Sequence, residues 1–100
     1  MKPKKMSPIH PGDILRDVLS DAGVTANRAA LQMRIPANRL TAILNGNRGI
    51  TAETALRLGR LFGTSAEMWL NLQKKYELDV AEDALADRVK SEVTPLAVAS

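Results

Sequence analysis

Pro36 limits the fold of this chain more than any other residue, because it divides one amphipathic stretch into two short helices. From Thr25 to Arg48 the sequence reads TANRAALQMRIPANRLTAILNGNR. Ala26, Ala29, Ala30 and Met33 follow the i, i+3, i+4, i+7 spacing of a helix with one buried face. The residue before a proline is pushed out of the α region, so Ile35 and Pro36 interrupt that helix. A second helix, opening at Pro36, places Leu40, Ile43 and Leu44 inward and leaves Ala37, Asn38, Thr41, Ala42 and Asn45 facing out. Asn45-Gly46 is a helix stop. Two short helices joined by a tight turn form the unit that lays its second helix in the DNA major groove. An ordinary pair of packed helices has the same spacing, and spacing alone leaves both readings open.

The flanking sequence adds three further helices. Pro11 suits a first helical turn, where its missing N–H costs nothing. Ile14, Leu15, Val18, Leu19 and Ala22 then share one face until Gly23 ends the helix. The lone His10 stands where a cap or a surface group is expected rather than a metal ligand, since no cysteine or second histidine accompanies it. Thr25 caps the helix that follows. Thr51 caps a fourth, with Ala55, Leu58, Gly59 and Phe62 on one face. Gly63 ends it and Ser65 caps a fifth, in which Trp69, Leu72 and Tyr76 repeat at i, i+3, i+7. Beyond Leu78 an acidic amphipathic helix is expected to Val93, with Val80, Ala84, Leu85 and Val89 on one side, ended by Thr94-Pro95. The fold expected is therefore all-α: a compact five-helix helix-turn-helix domain with a short C-terminal extension. Its parts are an N-terminal arm (1–10), the helix-turn-helix domain (11–78) and an acidic extension (79–100), partly helical or disordered.

Charge is divided along the chain. Residues 1–76 hold 12 Lys and Arg against 5 Asp and Glu, while residues 77–100 hold 2 against 6. A basic body suits a phosphate backbone, and an acidic end that DNA would repel is expected to face solvent or a protein. No apolar run reaches the length of a membrane span, and no apolar stretch follows the basic start MKPKKMSPIHPG as a signal peptide requires. A cytoplasmic protein is expected. Without cysteine and with one histidine, no nucleophile–base set or thiolate metal site is available. Gly46-Asn47-Arg48-Gly49 lacks the Gly-Lys-Ser/Thr ending of a phosphate loop. No catalytic residue, metal or cofactor is expected.

The segments PIHPGDIL (8–15), PANRLTAILNGNRGITAETALRL (36–58) and FGTSAEMWLNLQKKYEL (62–78) resemble HigA-type antitoxins, helix-turn-helix proteins of the phage-repressor (XRE) class. A generic phage repressor shares the Asn-Gly stop but neither the His-Pro-Gly opening nor the WLNLQ helix. The resemblance implies a homodimer on an operator palindrome near its own promoter, an ordered fold without a long flexible arm, and a HigB-type toxin partner that cleaves messenger RNA. Carried over from the repressor pattern, the base-edge positions are Ala37, Asn38 and Ala42, with Pro36 and Arg39 at the flank. Asparagine matches adenine N6 and N7, so Asn38 is the first choice for direct readout; Arg39 suits guanine or a phosphate. Thr41, Asn45, Asn47 and Arg48 suit phosphates, and Thr25 and Asn27 at the start of the preceding helix join the DNA-facing set.

Three positions depart from the repressor pattern. Arg34 stands where the turn usually has glycine, Ala26 replaces a phosphate-contacting glutamine, and Leu31 replaces a polar residue, which suggests a protein contact. Trp69, Leu72, Tyr76 and Leu78 offer the largest late apolar surface, for the core or for a dimer interface. Glu82, Asp83 and Asp87 are the candidate toxin contacts, with the stretch from Met1 to Ile14 as the competing surface. A stand-alone regulator without a toxin, or an inhibitor that has lost DNA binding, are the alternative functions.

Overall fold

The computed structural model describes residues 7–97. Its five helices are α1 (Pro11–Ala22), α2 (Ala26–Met33), α3 (Ala37–Leu44), α4 (Ala52–Phe62) and α5 (Ala66–Glu92). Local chemistry sets most of their ends. His10 caps α1, its Nδ1 accepting from the Gly12 N–H at 2.8 Å. That bond places the ring proton on Nε2. The hydroxyls of Thr25, Thr51 and Ser65 cap α2, α4 and α5 by accepting from Arg28, Thr54 and Met68. Gly23 and Gly63 close α1 and α4 in the left-handed region. Pro36 caps α3 rather than beginning it, without a side-chain hydrogen bond.

A single aliphatic core joins α1 to α4 and the first turns of α5. It contains Leu15, Leu19, Ala29, Ala30, Met33, Ile35, Leu40, Ile43, Leu44, Ile50, Ala55, Leu58 and Trp69. Helix α3 rests on α1 and α2, and α4 lies on α2 and α5. Gly12 lets α1 sit directly on the C-terminal end of α3, where a Cβ would overlap the Ile43 carbonyl oxygen. Trp69 is completely enclosed, and its Nε1–H reaches the Thr64 hydroxyl at 3.0 Å. The aromatic body is therefore buried without an orphaned donor.

Helix α5 carries two apolar stripes instead of one. At about 100° per residue, Trp69, Leu72, Tyr76 and Val80 lie on one side, and Leu78, Ala81, Leu85 and Val89 lie roughly opposite. Trp69 and Leu72 of the first stripe cover the core, Tyr76 meets His10, and Val80 is already exposed. The second borders a shallow apolar groove of about 450 Å³ and is turned away from the body. Val80 and Ala84 therefore do not share a side with Val89, contrary to the periodicity expected from the sequence. The expected 78/79 boundary falls inside α5 where one stripe gives way to the other, and every described residue from Glu82 onward is exposed. The expectations for residues 1–6 and 98–100 lie outside the described residues.

Candidate nucleic-acid interface

The outward side of α3 is built from short or polar side chains. Ala37, Asn38, Thr41 and Asn45 are exposed, and Ala42 is half-buried rather than fully outward. Thr25 and Asn27 at the opening of α2 are exposed, as are Asn47 and Arg48 in the loop after α3. With only methyl groups at 37 and 42, nothing bulky keeps a groove floor away from Asn38.

The polar groups differ in what already holds them. Arg39 donates from Nη1 to Glu53 Oε1 at 2.8 Å, tying α3 to the first turn of α4. A base contact by Arg39 must use its remaining N–H donors or open that pair. The Thr41 hydroxyl donates to the Ala37 carbonyl at 3.0 Å, so it must rotate to serve a phosphate. Asn45 Oδ1 accepts from Arg16 Nη2 at 3.3 Å. Because its oxygen takes that bond, its amide N–H groups are the donors left to face an anion. The Asn47 backbone N–H donates to the Ala42 carbonyl at 2.9 Å, which fixes the loop as it leaves α3.

Three residues that sequence reasoning did not single out hold this surface from behind. Arg16 of α1 donates to the Leu44 carbonyl at 3.1 Å and thereby satisfies one of the last carbonyls of α3. Arg57 of α4 does the same for α2 through the Met33 carbonyl at 2.9 Å. Gln73 of α5 accepts from the Ile50 N–H at 2.8 Å at the end of the α3–α4 loop. Each bond spans more than 20 positions, and no local pattern announces it.

The turn between α2 and α3 is strained. Arg34 takes φ 57° and ψ 45°, and its N–H closes back on α2. It is the only non-glycine described residue with positive φ. Leu31, on the preceding turn, is 69% exposed.

The proposed dimer residues do not act together. Trp69 lies wholly within the chain's own core, and Leu72 and Tyr76 are half-buried on the same inward side. Leu78 alone belongs to the outward stripe, at 59% exposure. Burial against the body therefore removes Trp69 from any interface with a second copy. Glu82, Asp83 and Asp87 are all exposed on the distal part of α5. Among the described residues, no cluster of three metal-ligating side chains occurs, and no helix is long and apolar enough to cross a membrane.

Five helices, a bihelical unit on α2 and α3 and an open polar face on α3 define a helix-turn-helix protein of the phage-repressor type. No protein-family model matches the chain. An addiction module antidote protein of the HigA family from Coxiella burnetii is 50% identical, with a TM-score of 0.88 over 91% of this chain and 100% of that one. The antitoxin HigA of Pseudomonas aeruginosa, solved with the higBA promoter, is 41% identical, with a TM-score of 0.87 over 90% of this chain and 99% of that one. Virulence-associated protein I of Dichelobacter nodosus is 46% identical over 79 residues, which are 78% of this chain and 73% of that protein. The chain belongs to the HigA family of helix-turn-helix antitoxins.

Proposed function

We propose that this chain is a dimeric, sequence-specific repressor of its own operon that also binds and neutralises a HigB-type toxin. The observation that carries the DNA half is the open side of α3, with Asn38 exposed between two alanines and Arg48 exposed in the following loop. The relative solved on its promoter has the same fold at 41% identity. In this reading Asn38 reads a base edge. Thr25, Asn27, Thr41, Asn45, Asn47 and Arg48 hold phosphates, and Arg39 alternates between Glu53 and the DNA.

We infer that the dimer forms through the outward stripe of α5, Leu78, Ala81, Leu85 and Val89. An apolar helix face in water needs a partner, and a C2 pairing gives each copy the same one. Two recognition helices then enter successive major grooves, roughly 34 Å apart, on a palindrome. The toxin half draws on family membership and on the acidic residues of distal α5. The protein works without a catalytic centre, in the cytoplasm.

Titrating full-length protein against the upstream DNA of its operon tests the reading. Arg48→Ala should weaken binding to every duplex and flatten the logarithmic salt slope by about one unit, as for one lost phosphate contact. Affinity for the operator no higher than for random DNA would overturn the repressor reading. Failure to co-purify the neighbouring small protein, with operator binding intact, would leave a stand-alone regulator.

A further inference from the structure

We propose that Gln73 is a positioning residue for DNA binding: from α5 it fixes the loop that presents Asn47 and Arg48 to the phosphate backbone. The inference rests on the DNA-binding reading above and assigns a role to the WLNLQ segment that neither the core nor the dimer explains.

The loop runs from Asn45 to Ile50, between α3 and α4. At its far end the Ile50 N–H donates to Gln73 Oε1 at 2.8 Å. The same side-chain amide lies against Gly49, where a Cβ would stand 2.8 Å from Nε2 and 3.0 Å from Cδ. Glycine at 49 thus admits the glutamine, and the glutamine supplies the acceptor that the backbone of nearly buried Ile50 requires. At its near end the loop passes His10, whose ring lies 3.9 Å from the Cβ direction of Gly46. His10 in turn meets Tyr76 edge-on, with ring centroids 4.8 Å apart. Gln73 and Tyr76 are three residues apart on α5, so the helix face that holds the far end of the loop also holds His10, the α1 cap whose ring stands beside Gly46. Between those ends, Asn47 and Arg48 are exposed. A loop held in place keeps Asn47 and Arg48 at the phosphates, whereas a loose loop gives up a contact and the counterion it would release. That difference should appear in phosphate contacts and not in base preference.

Gln73→Met keeps the length of the side chain and removes its acceptor. It should weaken binding to operator and to random DNA alike by roughly tenfold and make the salt slope shallower by about one unit, with the preference between operator variants unchanged. A purely structural role would lower the thermal midpoint and leave the slope of the folded protein unaltered. A second measurement does not depend on that variant folding. Gly49→Ala places a methyl against the Gln73 amide in the natural protein but into vacated space beside Gln73→Ala, so the two substitutions should be strongly non-additive in operator affinity. If Arg48→Ala flattens the slope while Gln73→Met does not, or if the Gly49 and Gln73 substitutions are simply additive, the positioning role is overturned and the DNA reading stands. If Arg48→Ala also leaves affinity and slope unchanged, the loop does not touch DNA and the positioning role falls, while the DNA reading is still decided by operator against random affinity.

Discussion

At the scale of single residues, the helix-turn-helix combines a strained position with one suited to reading a base. Arg34 adopts a left-handed backbone that an L side chain resists by about 1 kcal/mol or more. Arg34→Gly relieves that resistance but frees the unfolded chain by about 0.4–1 kcal/mol. The net expectation is a small gain, at most about 1 kcal/mol, whereas Arg34→Val should lose more than that because a branched Cβ suits positive φ least. Thermal unfolding followed by circular dichroism compares the two; a midpoint lowered by Arg34→Gly would show that the arginine makes a compensating contact. Asn38 calls for a different assay. Its replacement by alanine should cost about 1–3 kcal/mol of discrimination at one base pair and little on random DNA. Titration against operators permuted at each position locates that pair, and equal losses on all DNA would make Asn38 a phosphate contact.

At the scale of elements, what was legible in the sequence is what local chemistry decides. The caps at Thr25, Thr51 and Ser65 and the stop at Gly23 depend on neighbours a few residues away, and each falls where the sequence places it. The polar face of α3 was legible for the same reason. The bond from Arg16 to Leu44, the Arg39–Glu53 pair and the grip of Gln73 on Ile50 depend on tertiary approach and leave no periodic trace. Helix α5 misled by a different route. Its apolar residues change sides between Tyr76 and Leu85, so grouping Leu78 with Trp69, and Val80 and Ala84 with Val89, mixes two faces. Leu85 and Val89 are 43% and 51% exposed in the single chain, which makes them a clean probe of the outward stripe. If the proposed dimer forms through this stripe, replacing both with glutamate should leave far-UV dichroism intact and give a monomer in sedimentation velocity, with operator affinity falling as the paired recognition helices separate. A double variant that still sediments as a dimer would move the interface elsewhere.

At the scale of the whole molecule, 54 Å in its longest dimension, the two signs of charge belong to different segments of the chain. The DNA-facing candidates belong to α2, α3 and the loop after α3, within a segment of net positive charge. The excess acid lies on the part of α5 that leaves the core. About 100° per residue puts Asp83 and Asp87 on the side of that helix away from Leu78 and Val89, so a dimer through the apolar stripe leaves them outward. A toxin that cleaves messenger RNA must offer a basic surface to phosphates, and carboxylates placed this way can steer and cover it. Reversing Glu82, Asp83 and Asp87 to lysine should slow toxin association at low salt by roughly tenfold or more and make it less salt-sensitive. Operator binding should persist or strengthen, and sedimentation should confirm that the dimer survives despite Glu82 bordering the apolar groove. The competing surface is the start of α1 and the residues before it, where Ile9 is 51% exposed beside a cleft shared with Ile14, Leu72 and Asp79. Stopped-flow association with the purified toxin separates the two. Association unmoved by the triple reversal, with dissociation sped up by Ile9→Glu, would assign the toxin to the N-terminal side, because an apolar anchor acts on complex lifetime and packing and has little part in long-range steering.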